Sequence, residues 1–505
     1  MTATLLTDGR SAPAGRRPYP PQFRRLAVRQ VLDAIEDAGG NPFGIVPSVA
    51  RELGIPTATL RTWVRRADQI LAEPAPRNVP PRAEVWERPR LTLVREAPAR
   101  AEAPGRAEAP ATGRLRALAL ELRWPLSVYA VSRLLVLVAM GVAVSRPGGG
   151  LTAGRVPVPW PLAGSTSRLL GSSGIWDAAW YVHIAAHGYA PPPLPGSPLG
   201  WDMAFFPLFP GLVRGLSVLT GLTPLAAGLA LGLLIGALAA VAVWMLARHL
   251  AGEEVADRAV LLWSVFPGAF VLSMAYSEGL TALAAAACLL ALLRRRWVVA
   301  GLSAAVATAT APSALVLVAC CGWAAFRHLR EAPPEASEER PWAALSAPAL
   351  APLGAVGYFA YLWVRTGDLL AWYHSEKLFW DHGGVLRGLY KTTLSPIGYV
   401  VGHPLQLDNA VMLVAGLVVA AVGGALLWRW RPPAVLSIWV VGTLGLTLIS
   451  APVGIRPRFL LVAFPVTIAM ARRLGRGGTY ALAAVWAALL ACLTYFTVTT
   501  LSLVP

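Results

Sequence analysis

The sequence predicts an all-α protein: a polytopic helical bundle of about 11 membrane spans, preceded by a small cytosolic helical unit. Three observations predict it. Hydrophobic residues make up 56% of the 505 and charged residues only 14%, whereas an ordinary soluble domain is about one quarter charged. Long uncharged runs recur from residue 124 onward, most of them near or above the roughly 20 residues that a spanning helix needs. The charges themselves are unevenly placed. Residues 1–116 hold 19 Arg and 12 acids, a net of +7, and residues 117–505 hold 25 basic and 15 acidic residues, a net of +10 over a much longer stretch. A whole-chain net charge of +17 would by itself point to nucleic acid. Diluted in so much apolar sequence, it points to a membrane protein instead, and it excludes disorder of the whole chain. The four cysteines, Cys288, Cys320, Cys321 and Cys492, all lie in apolar runs without a CxxC. They read as membrane-buried thiols, not as a disulfide framework or a metal site.

The first 115 residues contain no apolar stretch with the flanks of a signal peptide, so the N-terminus is expected in the cytosol. Residues 18–70 predict a helical domain. Phe23, Ala27, Val28, Val31, Leu32 and Ile35 recur at helical spacing, and Gly39-Gly40 ends that run. Ala50 and Leu53 then fit a short helix, Gly54 a turn, and Thr57 the N-cap of a second helix that carries Leu60 and Trp63 inward. This stretch resembles the helix-turn-helix of transposase-type DNA-binding proteins. The resemblance implies that the second helix enters the major groove and presents Thr59, Arg61, Thr62, Arg65 and Arg66. A helical adaptor, or a relic of gene fusion, without DNA binding fits the same residues. Residues 71–116 are rich in Ala, Pro, Glu and Arg with no periodic apolar face, and they predict a disordered linker.

Residues 117–505 predict the membrane domain. Uncharged runs cover 215–247, 259–277, 297–326, 341–364, 409–428, 432–455 and 477–505. The run 297–326 predicts a tight hairpin around Ala311-Pro312, and 203–219 a segment that dips in without crossing. Five short loops, within 248–258, 294–296, 327–342, 429–433 and 472–478, carry 13 Arg in 42 residues. The longer segments 145–222, 365–408 and 450–458 carry 10 basic residues in 131. By the positive-inside rule the short loops are cytosolic and the long ones face outside. Polar and aromatic residues collect on that outer side. A transporter more often places them near the midplane on broken helices.

The densest such segment is Gly174–Tyr189, GIWDAAWYVHIAAHGY. It predicts a helix capped by Ser172 or Ser173 and ended by Gly188. Trp176, Trp180, Ile184 and His187 share one stripe, and Asp177 and Tyr181 a neighbouring one. On these residues alone, Asp177 reads equally well as an acid in a first helical turn beside an interfacial aromatic belt. Four further segments follow: AFFPLFP at 204–210, AYSEG at 275–279, TAPS at 310–313 and RPRFLLVAFP at 456–465.

In this order and spacing the segments resemble the PIG-V-type mannosyltransferases of the multi-spanning GT-C glycosyltransferase superfamily, over most of residues 120–500. The sequence departs from the pattern at Ala311-Pro312, where bacterial relatives often carry Arg-Pro. The resemblance implies a GT-C-like bundle that moves a sugar, mannose first, from a polyprenyl-phosphate carrier to an acceptor hydroxyl on the non-cytosolic face, with inversion. Inverting transfer needs a carboxylate to take the acceptor's proton, and Asp177 matches the first-loop acid of the superfamily. Trp176, Trp180, Tyr181 and Glu278 are then candidates for holding sugar. Arg456, Arg458 and Arg133 are candidates for the cationic clamp that a lipid-phosphate leaving group needs. Bland readings stand beside these: headgroup snorkelling for Arg456 and Arg458, an ion pair with Glu278 or Asp177 for Arg133, and a helix-start acid for Glu278. Glu376, Trp380 and His382 read mainly as an amphipathic surface helix.

No DxD pair and no strong metal constellation is present. That favours a lipid-linked donor and leaves a divalent ion open. The expected partners are the bilayer, a polyprenyl-phosphate sugar, a glycolipid, glycan or protein acceptor, and DNA for residues 18–70. The expected location is the plasma membrane of a bacterium, multi-pass. A transporter or flippase of lipid-linked sugar and a membrane-tethered DNA-binding regulator are the alternatives.

Overall fold

A computed structural model describes residues 21–37, 45–53, 55, 57–65, 67, 111–146, 168–189, 200–331, 341–380, 407–449 and 456–499. Every described regular element is a helix. The chain divides into two compact units, residues 1–106 and 107–505.

In the first unit, three helices (Pro21–Asp37, Ile45–Glu52 and Thr57–Arg65) close on a small core of Ala27, Val31, Val49, Ala50, Ile55 and Leu60. Leu53 and Ile55 donate backbone hydrogen bonds to Val49 and Ala50, which makes the tight turn between the second and third helices. The periodic face expected on the first helix is only partly inward: Ala27, Val28 and Val31 are buried, while Leu32 is exposed. The Phe23 and Ile35 side chains lie outside the described residues. Gly39-Gly40, Gly54 and Arg66 lie outside the described residues, as do residues 71–110.

The second unit is a bundle of apolar helices. Among the described residues, five are long and apolar enough to cross a membrane: Leu120–Ser145, Pro224–Ala251, Pro312–Glu331, Trp342–Thr366 and Arg476–Thr499. A sixth crossing forms if Glu253–Ser264 and Pro267–Ser273, bent by 76° at their junction, are one broken span. Shorter apolar helices fill in between, so the chain is a multi-pass membrane protein. The first span shows why. Val131, Leu134, Val138 and Val142 form an exposed apolar stripe at i, i+3, i+7, i+11, while Ser132, Arg133, Val136 and Met140 face inward. Apolar residues outside and a charge inside is the pattern a lipid solvent selects.

Helix Leu208–Thr220 has 13 residues, roughly 20 Å at 1.5 Å per residue, too short to cross a hydrocarbon core of about 30 Å. The run 297–326 divides as expected near Pro312, into helix Trp297–Thr308 and a 3-10 turn, Pro312–Leu315, that leads into Val316–Glu331.

Packing between spans relies on small residues. On Pro224–Ala251, Gly228, Gly232 and Gly236 form one face. A Cβ at Gly228 would lie 2.8 Å from the Ala275 Cβ, and one at Gly232 only 2.7 Å from the Met274 carbonyl. At Gly236 the space is taken by the Tyr129 hydroxyl. This stripe seats the chain just before Tyr276-Ser277-Glu278. One end of the bundle is tied by charged pairs: Arg248 with Glu121, and Arg476 with Glu254. The candidate site lies at the opposite end, where Trp176 reaches Thr497 near the end of the last helix.

Candidate active site

Three segments far apart in sequence meet here. The first is helix Asp177–His187, which begins on the acid itself. Its entry is unusual. Trp176, the residue before it, has φ 59° and ψ −133°, a left-handed conformation that costs a non-glycine residue on the order of 1–3 kcal/mol. It is held there by its own side chain, whose indole N–H donates to the Thr497 carbonyl at 3.1 Å. Neither Ser172 nor Ser173 caps the helix, contrary to expectation. Their hydroxyls bond back to the carbonyls of Arg168 and Leu170, within the preceding turn. The Asp177 N–H donates instead to the Tyr276 hydroxyl at 3.2 Å. Gly188, at φ 77°, ends the helix as expected.

The second segment is Tyr276-Ser277-Glu278, where the chain re-enters a helix after the broken span. The Ser277 and Tyr181 hydroxyls are 2.7 Å apart. Burial, and next the negative Glu278, hold the Tyr181 phenol well above its usual range. The third segment is the short helix Pro457–Val462, with Arg456 half-buried at its N-cap.

Arg458 joins the three. It is buried, its Nη1 bonds Asp177 Oδ2, and the same nitrogen lies 3.6 Å from Glu278 Oε1. Its guanidinium sits over the rings of Phe459, at 4.6 Å, and Tyr276, at 5.5 Å. Burial alone would weaken this cation, but Asp177 and then Glu278 more than offset that and raise its pKa above the ordinary arginine value. The site therefore holds one cation to two acids. Asp177 keeps 27% side-chain exposure, so a carboxylate oxygen remains open to a ligand. Among the described residues, Glu278 Oε2 and Arg458 Nε are buried without a hydrogen-bond partner.

Aromatic rings wall this site. Trp180 stacks with Trp201, 6.4 Å and 12°, and with Phe205, 5.7 Å and 15°. Tyr181 meets Phe205 and Phe209 edge-on. Trp201 is two-fifths exposed while Trp180 is buried. Among the described residues, no group of three or more His, Cys, Asp and Glu is placed to hold a metal ion.

Of the residues expected at the site, Asp177, Glu278, Arg458 and Tyr181 come together, with Trp180 on the same helix as Asp177; Trp176 turns its indole to Thr497, and Arg456 stands at the N-cap two residues before Arg458. Arg133 does not face this cluster. It is buried in the first span, and its bonds go to carbonyls and hydroxyls rather than to Asp177 or Glu278. Tyr276 and Ser277 are not among the expected site residues, although both stand in the AYSEG segment at 275–279. Glu376 is half-buried, whereas the Trp380 side chain and His382 lie outside the described residues. In the small unit, Thr59 is half-buried and Arg61 and Thr62 are exposed on the third helix; the Arg65 side chain lies outside the described residues.

Two family models match the chain. Residues 151–332 match the model described as Mannosyltransferase (PIG-V), the segment that carries Asp177 and Glu278. Residues 14–103 match the model described as Transposase. The first match supports a membrane glycosyltransferase. No curated protein matches the chain. Among solved structures, the apo oligosaccharyltransferase of Archaeoglobus fulgidus aligns with a TM-score of 0.38 at 16% identity, over 75% of this chain and 56% of that one. The Archaeoglobus fulgidus oligosaccharyltransferase AglB, in complex with an inhibitory peptide and a dolichol-phosphate, aligns at 0.37 and 13% over the same shares. The chain thus spans little more than half the length of these solved chains.

Proposed function

We propose that the chain transfers a sugar, mannose first, from a polyprenyl-phosphate carrier to an acceptor hydroxyl at the non-cytosolic membrane face, with Asp177 as general base. One observation carries the reading. Within the segment that matches the mannosyltransferase model, a partly open carboxylate is held by a buried guanidinium at the end of the bundle opposite the Arg-rich loops. By the positive-inside rule that end is non-cytosolic, and the N-terminus is cytosolic in the plasma membrane of a bacterium.

The geometry supports the following chemistry. Arg458 fixes Asp177 through Oδ2, which leaves the open part of the carboxylate to take the proton of an acceptor hydroxyl. The acceptor oxygen forms its bond to the anomeric carbon as the bond to the phosphate oxygen breaks. Attack opposite the leaving group inverts the centre. The departing polyprenyl phosphate gains one negative charge in that step, so a nearby cation stabilises the transition state more than the bound donor. Arg456 at the rim supplies that charge, with Arg458 behind it. Trp180, Trp201 and Tyr181 form the wall against which a sugar ring packs.

The test is transfer of labelled mannose from polyprenyl-phospho-mannose by the purified protein, against a panel of glycolipid, glycan and protein acceptors. A labelled product is expected with one acceptor class. Movement of the carrier across a bilayer with no glycoside formed would favour a flippase.

For the N-terminal unit a second reading rests on the exposed Arg61 and Thr62 and on the transposase match: this unit binds duplex DNA. Binding by the full chain should be steeply salt-dependent and absent once residues 1–115 are removed. No binding even at low salt would leave the unit a helical adaptor.

A further inference from the structure

One helix end lies fully buried inside the apolar bundle, at Ser264. Helix Glu253–Ser264 stops, and the chain turns by 76° into the 3-10 stretch Pro267–Ser273. The last carbonyls of a helix have no partner within it, and the bilayer interior offers no water to replace one. Arg133, on the first span, supplies the donors. Its Nη2 bonds the Ser264 carbonyl at 3.0 Å, and its Nη1 bonds the Ala269 carbonyl and the Ser273 hydroxyl. The Nε and Nη2 also bond Ser132 Oγ, and the guanidinium lies 5.1 Å from the centre of the Tyr129 ring. Every nitrogen of the side chain is in use, and its bonds reach both sides of the break.

The break in turn carries both halves of the candidate site. Gly268 lies in it, and the Pro457 carbonyl group occupies the place of a Cβ there, with Arg458 N 2.6 Å from that position. Trp263 donates its indole N–H to the Leu461 carbonyl at 3.0 Å. These contacts fix the segment that bears Arg458. On the other side, Ala275 N–H donates to the Ser173 carbonyl, Tyr276 receives the Asp177 N–H, and Ser277 pairs with Tyr181. These fix the helix that bears Asp177.

We propose that Arg133 is a positioning residue: by bridging the two sides of the broken span it sets the register of Arg458 against Asp177. The inference rests on the reading of Asp177 as general base. Arg133 touches no ligand; its effect passes through Gly268 to Arg458 and through Tyr276 to Asp177. Lysine keeps the charge but concentrates its donors at one point, so it cannot span the break as a guanidinium does.

The experiment compares the full-length wild type with Arg133→Lys, Ser273→Ala and Gly268→Ala, each purified as a monodisperse species. Transfer from polyprenyl-phospho-mannose gives kcat and the donor KM. Hydrogen–deuterium exchange follows the peptides that cover 274–278 and 457–462. Arg133→Lys and Gly268→Ala should lower kcat about tenfold to a hundredfold, the scale of a misplaced catalytic group, with donor KM within twofold. Exchange should quicken in both peptides. Ser273→Ala, which removes one acceptor, should move both readouts in the same direction by less. A donor KM raised tenfold at unchanged kcat in Arg133→Lys would make it an anion clamp and overturn the proposal. So would unchanged exchange in both peptides. Exchange is read without substrate: if the wild type transfers no sugar yet both peptides loosen in the variants, the sugar-transfer reading fails and the positioning of the two segments by Arg133 stands.

Discussion

At the scale of single residues, the entry to the helix that begins on Asp177 runs through Trp176 at φ 59°. A tryptophan at positive φ persists only where the surroundings over-determine it, and here the Thr497 carbonyl does so. Trp176→Phe leaves a smaller aromatic ring and removes that donor. It should cost about 1 kcal/mol, read as a lower thermal midpoint, and should reduce transfer because Asp177 is the next residue. A wild-type midpoint and rate would show that the indole bond holds nothing. One turn and a half further along, His183 stacks on His187 with ring centres 4.7 Å apart. Burial, and then the neighbouring His187, push the His183 pKa from 6.5 down to about 4. Between those values the unfolded chain binds the proton and the folded one does not, so stability is full above about pH 6.5 and falls as pH drops toward 4. His183→Asn should flatten that part of the profile of thermal midpoint against pH. A profile unchanged by the substitution would assign the slope to other groups. Asp177, Glu278 and Arg458 were legible as candidates because each stands in a short polar motif at the edge of an apolar run. The conformation of Trp176 was not, since nothing in its neighbours marks a left-handed residue.

At the scale of elements, the decisive feature is the break after Ser264. The uncharged run 259–277 reads as one continuous span, and Pro267-Gly268 is its only visible interruption. What stabilises the break lies 131 residues away, in Arg133, and a hydrogen bond of that range leaves no local pattern. The glycine stripe on Pro224–Ala251 is a second element-scale device. Its spacing was open to reading, but what it admits, the chain before Glu278, was not. Gly232→Ala would press a methyl group against the Met274 carbonyl, 2.7 Å from the ideal Cβ. The substitution should destabilise the protein by about 1–3 kcal/mol, as overpacking does, and should lower transfer more than it lowers folded yield. Loss of yield alone, with a normal rate per folded molecule, would mean that this contact serves packing only. The serine caps expected for the Asp177 helix failed for an elementary reason: a hydroxyl next to its own helical turn has a carbonyl closer than the next helix start.

At the scale of the whole molecule, the net charge of +17 resolves into separate tasks. Residues 1–116 hold +7 of it and residues 117–505 the other +10, much of that in short Arg-bearing loops. Of the three arginines singled out for chemistry, Arg458 lies in the site, Arg456 at the N-cap of the same short helix, and Arg133 against the break between Ser264 and Pro267. The all-helical membrane architecture was legible because hydrophobic runs and charge placement act over the whole chain. The site as a cluster was not, because residues 177, 278 and 458 meet only through the tertiary fold. If sugar transfer resides in residues 117–505, removing residues 1–115 should leave its rate within about twofold, measured in the same membrane assay. A rate lost with those residues, in protein that remains folded, would tie the two units together in function. The most direct measurement is mannose transfer by purified, folded Asp177→Asn beside the wild type. Asparagine keeps the shape and removes the base, so the rate should fall at least a hundredfold, within the roughly 10²–10⁴ that general bases contribute, with the donor still bound. Turnover close to that of the wild type would contradict the assignment of Asp177 as the base.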